Sequence, residues 1–215
     1  MSSPTESHQQ CVAGHYQQVW KRPFRKVPFN LGPIQDLNPD FCVLEFEPDE
    51  KRKMWTYATC CMSDTSDTPR DEDLLELHLH SPQAEMGIVE LLYATAHYHR
   101  TRARLGLSHT VNLGRPWLGS TASSICDRGL VSLPYLDGPA LEILSLDDKD
   151  SATNGADEGG NGNSAGKGPV VRCLWLIPVT LAEVEYKKAN GVEALEAKFE
   201  ELELNFLDPE RPSVV

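Results

Sequence analysis

Residues 74–80, "LLELHLH", alternate without a break. Leu75, Leu77 and Leu79 fall on one face, and Glu76, His78 and His80 on the other. A period of two is the repeat of a strand, and a polar second face predicts a half-buried one. Residues 42–47, "CVLEFE", and 54–60, "MWTYATC", carry the aromatic and β-branched residues of further strands. Residues 173–179, "CLWLIPV", are apolar on both faces. They predict a central strand that ends at Pro178, because proline has no N–H for a ladder.

The helical signals lie between and after these strands. Ser81 followed by Pro82 reads as an N-cap with proline at the first helical position. The helix is expected to run through "EMGIVELLYATAHYHRTRAR", with Arg100, Arg102 and Arg104 near its C-terminus and Gly106 as the stop. "TLAE" is a capping box, Thr180 at N-cap and Glu183 at N3. Asn190-Gly191 ends that helix, and Leu195, Phe199 and Leu202 mark another at helical spacing. Strands and helices mix without a regular βαβ rhythm. The pattern therefore predicts an α+β fold, a mixed sheet with helices packed on it.

A 215-residue chain that is 40% hydrophobic is long enough for one sizeable core. We expect a helix or partly flexible tail over 1–29 and one domain over 30–215. Residues 147–169, "DDKDSATNGADEGGNGNSAGKGP", carry no large apolar residue and predict a disordered insert inside it.

The net charge of -12 argues against nucleic acid as partner, since phosphate neutralisation needs a basic face. The one basic cluster, Lys21, Arg22, Arg25 and Lys26, reads more simply as a solvated face than as a patch for an acidic partner. No apolar run reaches the roughly 20 residues of a membrane span. The N-terminus also lacks the features of a signal peptide, so a cytoplasmic location is expected. The six cysteines have no framework spacing and are expected as reduced thiols; Cys60-Cys61 is not a zinc motif.

Chemistry concentrates in residues 109–129, "HTVNLGRPWLGSTASSICDRG". A hydrolytic reading takes Cys126 or Ser120 as nucleophile, His109 as base and Asp127 as orienter. No G-x-S-x-G elbow supports it. The plainer reading is a loop shaped by Gly114, Pro116 and Gly119, whose hydroxyls satisfy their own backbone. His78 and His80 share a strand face, which suits a metal pair, but the sequence offers no obvious third ligand. His97 and His99 point to different sides of their helix. Trp117 suits either an interface anchor or a core plug. No phosphate loop, dinucleotide fingerprint or H-E-x-x-H is present, and no cofactor or metal is expected.

Six strings in order carry a resemblance: "WTYATCCMSD" (55–64), "LLELHLHSP" (74–82), "LGLSHTVNLGRPW" (105–117), "LVSLPYLDGP" (130–139), "CLWLIPVTLAEVEYKKANGVEAL" (173–195) and "NFLDPERPSVV" (205–215). Together they resemble the suppressor-of-fused domain as found in bacterial proteins, over roughly residues 30 to 215. The resemblance implies a mixed α/β domain that binds other proteins and has no known catalysis. In animals the family member restrains a zinc-finger transcription factor of the Hedgehog pathway, gripping a short peptide as an added strand. Bacterial relatives are associated with polymorphic toxin systems as immunity proteins.

By position, "LSHTVNL" matches the peptide-pairing strand, which makes Ser108, His109, Thr110 and Asn112 the expected contact residues, with Arg115 and Trp117 beside them. Two features depart from the animal pattern. The animal strand carries an acidic residue at the place of Ser108, and the animal peptide is held against a second domain with no counterpart in this sequence. The expected partner is a protein, either a basic toxin domain or an extended peptide.

Overall fold

The computed structural model describes residues 4–63, 74–117, 125–146 and 169–215. Its centre is an eight-stranded mixed sheet. The strands are β1 (Arg25–Val27), β2 (Cys42–Phe46), β3 (Trp55–Cys60), β4 (Leu74–Ser81), β5 (Thr110–Asn112), β6 (Cys126–Ser132), β7 (Ile143–Ser145) and β8 (Val170–Thr180). They lie in the order β1-β2-β3-β4-β8-β6-β5, with β7 also paired to β8. Among the described strands only β4 and β8 run parallel, with Leu77 opposite Leu174 and His78 opposite Trp175. The helices are α1 (Pro4–Trp20), α2 (Met86–Thr101), α3 (Pro139–Glu142), α4 (Leu181–Asn190) and α5 (Val192–Glu201). The α+β expectation holds. No helix among the described residues is long and apolar enough to cross a membrane.

Helices cover both faces of the sheet. On one face Leu75, Leu77, Leu79, Leu174, Leu176 and Val131 pack against Ile88, Val89, Leu91, Leu92 and Ala96 of α2. On the other, Val12, Tyr16 and Trp20 of α1 pack on Leu44, Phe46, Ala58 and Cys173. Beyond them, Val184 of α4 and Leu195 and Phe199 of α5 close over Leu130, Trp175, Ile177 and Val179. Each fully buried aliphatic or aromatic side chain contributes roughly 1.5–3 kcal/mol relative to exposure. Both α1 and β1 come from the 1–29 segment, yet β1 pairs with β2 and α1 fills the core.

Several local expectations are corrected. Strand β4 alternates as the sequence predicts, but all eight residues are buried. Its polar face meets other protein groups rather than water: Glu76 accepts from Thr59 and Ser63, His78 lies against Trp20 of α1, and His80 against Trp175 and Phe206. The period of two thus records two chemistries and not two solvents. Helix α2 starts at Met86 with Glu85 as N-cap, whose side chain accepts from the Gly87 N–H. Ser81 cannot cap it, because Ser81 is still in β4, opposite Trp55. The helix stops at Thr101 with Arg102 as C-cap, short of Gly106. Strand β8 continues through Pro178, which lies opposite Gly129 past the last β4 pair at Trp175.

The capping box at Thr180 and Glu183 is present, and Gly191 ends α4 with φ +93°. Leu202 follows α5 as its C-cap and is exposed, unlike Leu195 and Phe199. The basic cluster is divided: Arg22 is only 3% exposed, its guanidinium donating to Thr56 Oγ1 at 2.8 Å, while Arg25 pairs with Glu45 at the surface. None of the six cysteines is in a disulfide. The insert at 147–169 falls almost wholly outside the described residues; at its base the Leu146 N–H donates to the Pro169 carbonyl at 3.0 Å.

Candidate partner-binding edge

Among the described residues, strand β5 forms one end of the sheet and pairs with β6 alone. Its entry is a bulge at Ser108, where φ is +65°. Ser108 N–H donates to the Val131 carbonyl at 2.8 Å, while Val131 N–H returns to the His109 carbonyl at 2.9 Å. Ser108 and His109, just before β5, thus together oppose Val131 of β6, the geometry that ends or re-aims pairing. Lys187 of α4 adds a bond from Nζ to the Ser108 carbonyl.

The same bonds set which way the strand faces. His109 through its carbonyl and Leu113 through its N–H, at 3.1 Å from the Asp127 carbonyl, both point to β6. In an antiparallel ladder the intervening residues point the other way. The N–H and C=O of Thr110 and Asn112 therefore face out from the open edge. Asn112 is exposed and Thr110 half-buried.

Strand β5 is drawn close to its neighbour by Gly129, opposite Val111. A Cβ at Gly129 would stand 2.7 Å from Leu176 Cδ1 and 3.2 Å from Val111 Cγ1. After β5, Asn112 Oδ1 accepts from the Gly114 N–H at 2.9 Å, and Gly114 turns with φ +69°. Between β5 and α2 lies a groove of about 290 Å³, with Leu91, Thr95, Tyr98 and Arg102 facing Val111 and Leu113.

The other expected contact residues divide. His109 is exposed. Arg115 turns to α2, with Nη1 2.9 Å from Glu90 Oε2. Trp117 is 2% exposed and sits in the α2-side core, so it is the plug and not an anchor.

Among the described residues the Cys126 version of the hydrolytic set is not assembled. Cys126 is fully buried, and burial pushes its thiol up to about 11, away from the thiolate a nucleophile needs. His109 sits at the level of Val131 on the β6 ladder. That is five residues from Cys126, or roughly 16 Å at about 3.3 Å per residue. Asp127 is paired with Arg128. Ser120 lies outside the described residues.

His97 and His99 diverge as expected: His97 reaches Asp36 at 3.2 Å, while buried His99 accepts the Leu105 N–H on Nδ1 at 2.9 Å. His78 and His80 are brought together with a residue that spacing could not reveal, Asp137, from the turn before α3.

Comparison with known proteins gives one family. A profile described as suppressor of fused protein matches residues 38–212. No curated protein matches the sequence significantly. Among solved structures, a suppressor of fused homologue from Neisseria gonorrhoeae FA 1090 is 28% identical, with a TM-score of 0.73 over 97% of each chain. A chain of a Sufu–Fu complex is 16% identical, with a TM-score of 0.65 over 96% of this chain and 92% of its own. Drosophila Suppressor of Fused, also 16% identical, has a TM-score of 0.61 over 96% of this chain and 51% of its own. The six ordered strings thus sit on a fold that its relatives share, and the chain belongs to the suppressor of fused family.

Proposed function

We propose that this domain is a non-enzymatic, cytoplasmic protein-binding module that takes an extended segment of its partner as an added strand on β5. The observation that carries this reading is the outward-facing N–H and C=O pairs of Thr110 and Asn112 on the last strand of the sheet. A partner strand there gains main-chain hydrogen bonds for affinity, and alternate side chains can enter the groove against α2 for specificity. A structural neighbour that belongs to a complex, the Sufu–Fu assembly, supports a binding role.

The partner we favour is a basic toxin domain, which makes the protein an immunity protein. The net charge of -12 supports this by steering a basic partner from a distance. Selection at contact is local, and the groove rim carries Arg102 and Arg115. The accepted strand is therefore expected to carry neutral or acidic side chains even when its parent domain is basic.

The test is affinity capture of the tagged protein from its native cells, read by mass spectrometry, beside an Asn112→Pro variant. Proline at 112 removes an outward N–H and leaves the β6 ladder intact. One stoichiometric partner, lost by a variant that melts like the parent, supports the edge; toxicity of that partner expressed alone supports immunity. Retention of the partner by the folded variant overturns the β5 assignment.

A further inference from the structure

The polar face of β4 holds a second feature that partner binding does not use. His78 and His80 point from β4 towards the turn that carries Asp137, and one ligand atom from each of the three lies within 4.8 Å of the others. All three side chains are out of solvent: His78 at 0%, His80 at 3% as a residue, and the Asp137 side chain at 1%.

Neighbouring groups decide which atoms remain available. Asp137 Oδ1 accepts from Trp20 Nε1 at 2.7 Å and from Arg52 Nη2. His80 Nδ1 is 3.2 Å from Thr56 Oγ1. That leaves both nitrogens of His78, His80 Nε2 and Asp137 Oδ2, all buried and without a hydrogen bond; His78 Nε2, His80 Nε2 and Asp137 Oδ2 are the three that an ion could take. His78 Nε2 stands 3.5 Å from Asp137 Oδ2. Burying such groups without partners is costly, so something polar belongs among them.

We propose that His78, His80 and Asp137 form a binding site for a divalent transition-metal ion of the zinc class. Two imidazoles and one carboxylate are a borderline donor set that suits zinc and its first-row neighbours rather than calcium or magnesium. At metal–ligand distances of about 2.0–2.1 Å, tetrahedral ligand atoms are about 3.3 Å apart, so the 3.5 Å pair is nearly in place and the third atom, within 4.8 Å of the others, needs a shift of at most about 1.5 Å.

The surroundings are those of a supported site. Thr56 fixes the far nitrogen of His80, and Trp20 with Arg52 fixes the far oxygen of Asp137, as partners of metal ligands do. Trp20, Trp175 and Phe206 pack their rings against the two imidazoles at centroid distances of 5.4–5.8 Å. Arg22 and Arg52 oppose a dication by their charge. An anion on Arg22 Nε and Arg52 Nη1, which also lack partners, would leave both imidazoles and Asp137 Oδ2 unsatisfied. The donor set therefore favours a cation.

The experiment uses the full chain without a polyhistidine tag, stripped with a chelator and desalted. Zn²⁺ is titrated by calorimetry, and Co²⁺ by visible absorption and tryptophan fluorescence. One equivalent of each should bind, with Co²⁺ giving ligand-field bands of nitrogen and oxygen donors and quenching the fluorescence of Trp20 and Trp175. Loss of a supporting partner typically costs 10–100-fold in metal affinity, so loss of a ligand should cost at least about 100-fold. Asp137→Asn and His80→Gln are each expected to weaken Zn²⁺ that much, while His97→Gln on the α2 surface leaves it unchanged. Failure of the stripped wild type to take up either metal overturns the site, whether or not the variants fold. So do thiolate charge-transfer bands, which would place Co²⁺ on cysteine, or Asp137→Asn binding like the wild type.

Discussion

Arg211 holds both carboxylate oxygens of Glu183, with Nη1 on Oε1 at 2.6 Å and Nη2 on Oε2 at 2.9 Å. Both residues are buried, and Glu183 also accepts the N–H groups of Thr180 at 2.8 Å and Val214 at 3.1 Å. One carboxylate therefore completes the cap of α4, pairs a guanidinium and ties residues 205–215 to the sheet. Arg211 extends the tie to β8 through the Pro178 carbonyl at 3.0 Å.

Arg211→Met strands a buried carboxylate. Removing one partner of such a pair costs about 3–5 kcal/mol, and the two backbone donors left to Glu183 place the cost near the lower end. Urea denaturation should show the loss as a lower midpoint. Burial pushes the Glu183 carboxyl up, but Arg211 and the backbone donors outweigh it, so its pKa is lowered. A depressed folded pKa contributes stability above the unfolded value that is lost as pH falls. The wild type should thus lose stability below about pH 4.5 more steeply than Arg211→Met.

His99 gives a second, separate pH window. Burial, helped by Arg104, lowers its pKa to about 4, and its Nδ1 accepts the Leu105 N–H. The neutral ring therefore stabilises the fold above the unfolded value near 6.5, and this contribution disappears as pH falls towards 4. The shift corresponds to roughly 3 kcal/mol. His99→Asn keeps an acceptor near Nδ1 and cannot titrate. Its stability should be flatter than wild type between pH 6.5 and 4 in thermal melts.

Gly129→Ala places a methyl into the contact of Leu176 with Val111. Overpacking of this kind costs about 1–3 kcal/mol. The methyl meets the Leu176 side chain of β8 first and Val111 of β5 next, and β5 is held by fewer pairs, so the Leu113 amide should lose hydrogen-exchange protection before the amides of β4. Equal loss at both would mean that β5 and the sheet centre open together.

Cysteine labelling tests the reaction that the structure disfavours. Cys11 is exposed and the other five thiols are buried. Iodoacetamide applied to folded protein should modify Cys11 and spare Cys126, with mass spectrometry of the peptides as readout. Modification of Cys126 at a comparable rate would return a thiol nucleophile to consideration.

Association kinetics test the electrostatic part of the proposed function. With a charge of -12, capture of a basic partner should slow as salt rises, while dissociation from β5 changes little. An on-rate independent of salt would leave the added strand in place and remove the steering.

The chain by itself determined much of the local structure. Strands β2, β3 and β4 follow from alternation and side-chain type, and the α4 cap follows from Thr180 and Glu183, because these signals act within a few residues. It also determined the family, through strings kept in order. Tertiary structure decided what those elements face. Glu76, His78 and His80 read as a solvated face until Ser63, Trp20 of α1 and Phe206 close over them, since alternation reports chemistry and not what packs above it. Ser81 reads as a cap until pairing with Trp55 keeps it in β4, and Pro178 reads as a strand end until β6 carries β8 past it. Neither Asp137 beside the two histidines nor Arg211 on Glu183 leaves a trace in spacing, because contacts between distant segments exist only once the sheet has formed. The outward face of Thr110 and Asn112 is likewise set by the ladder, where a one-residue shift would exchange inside for outside.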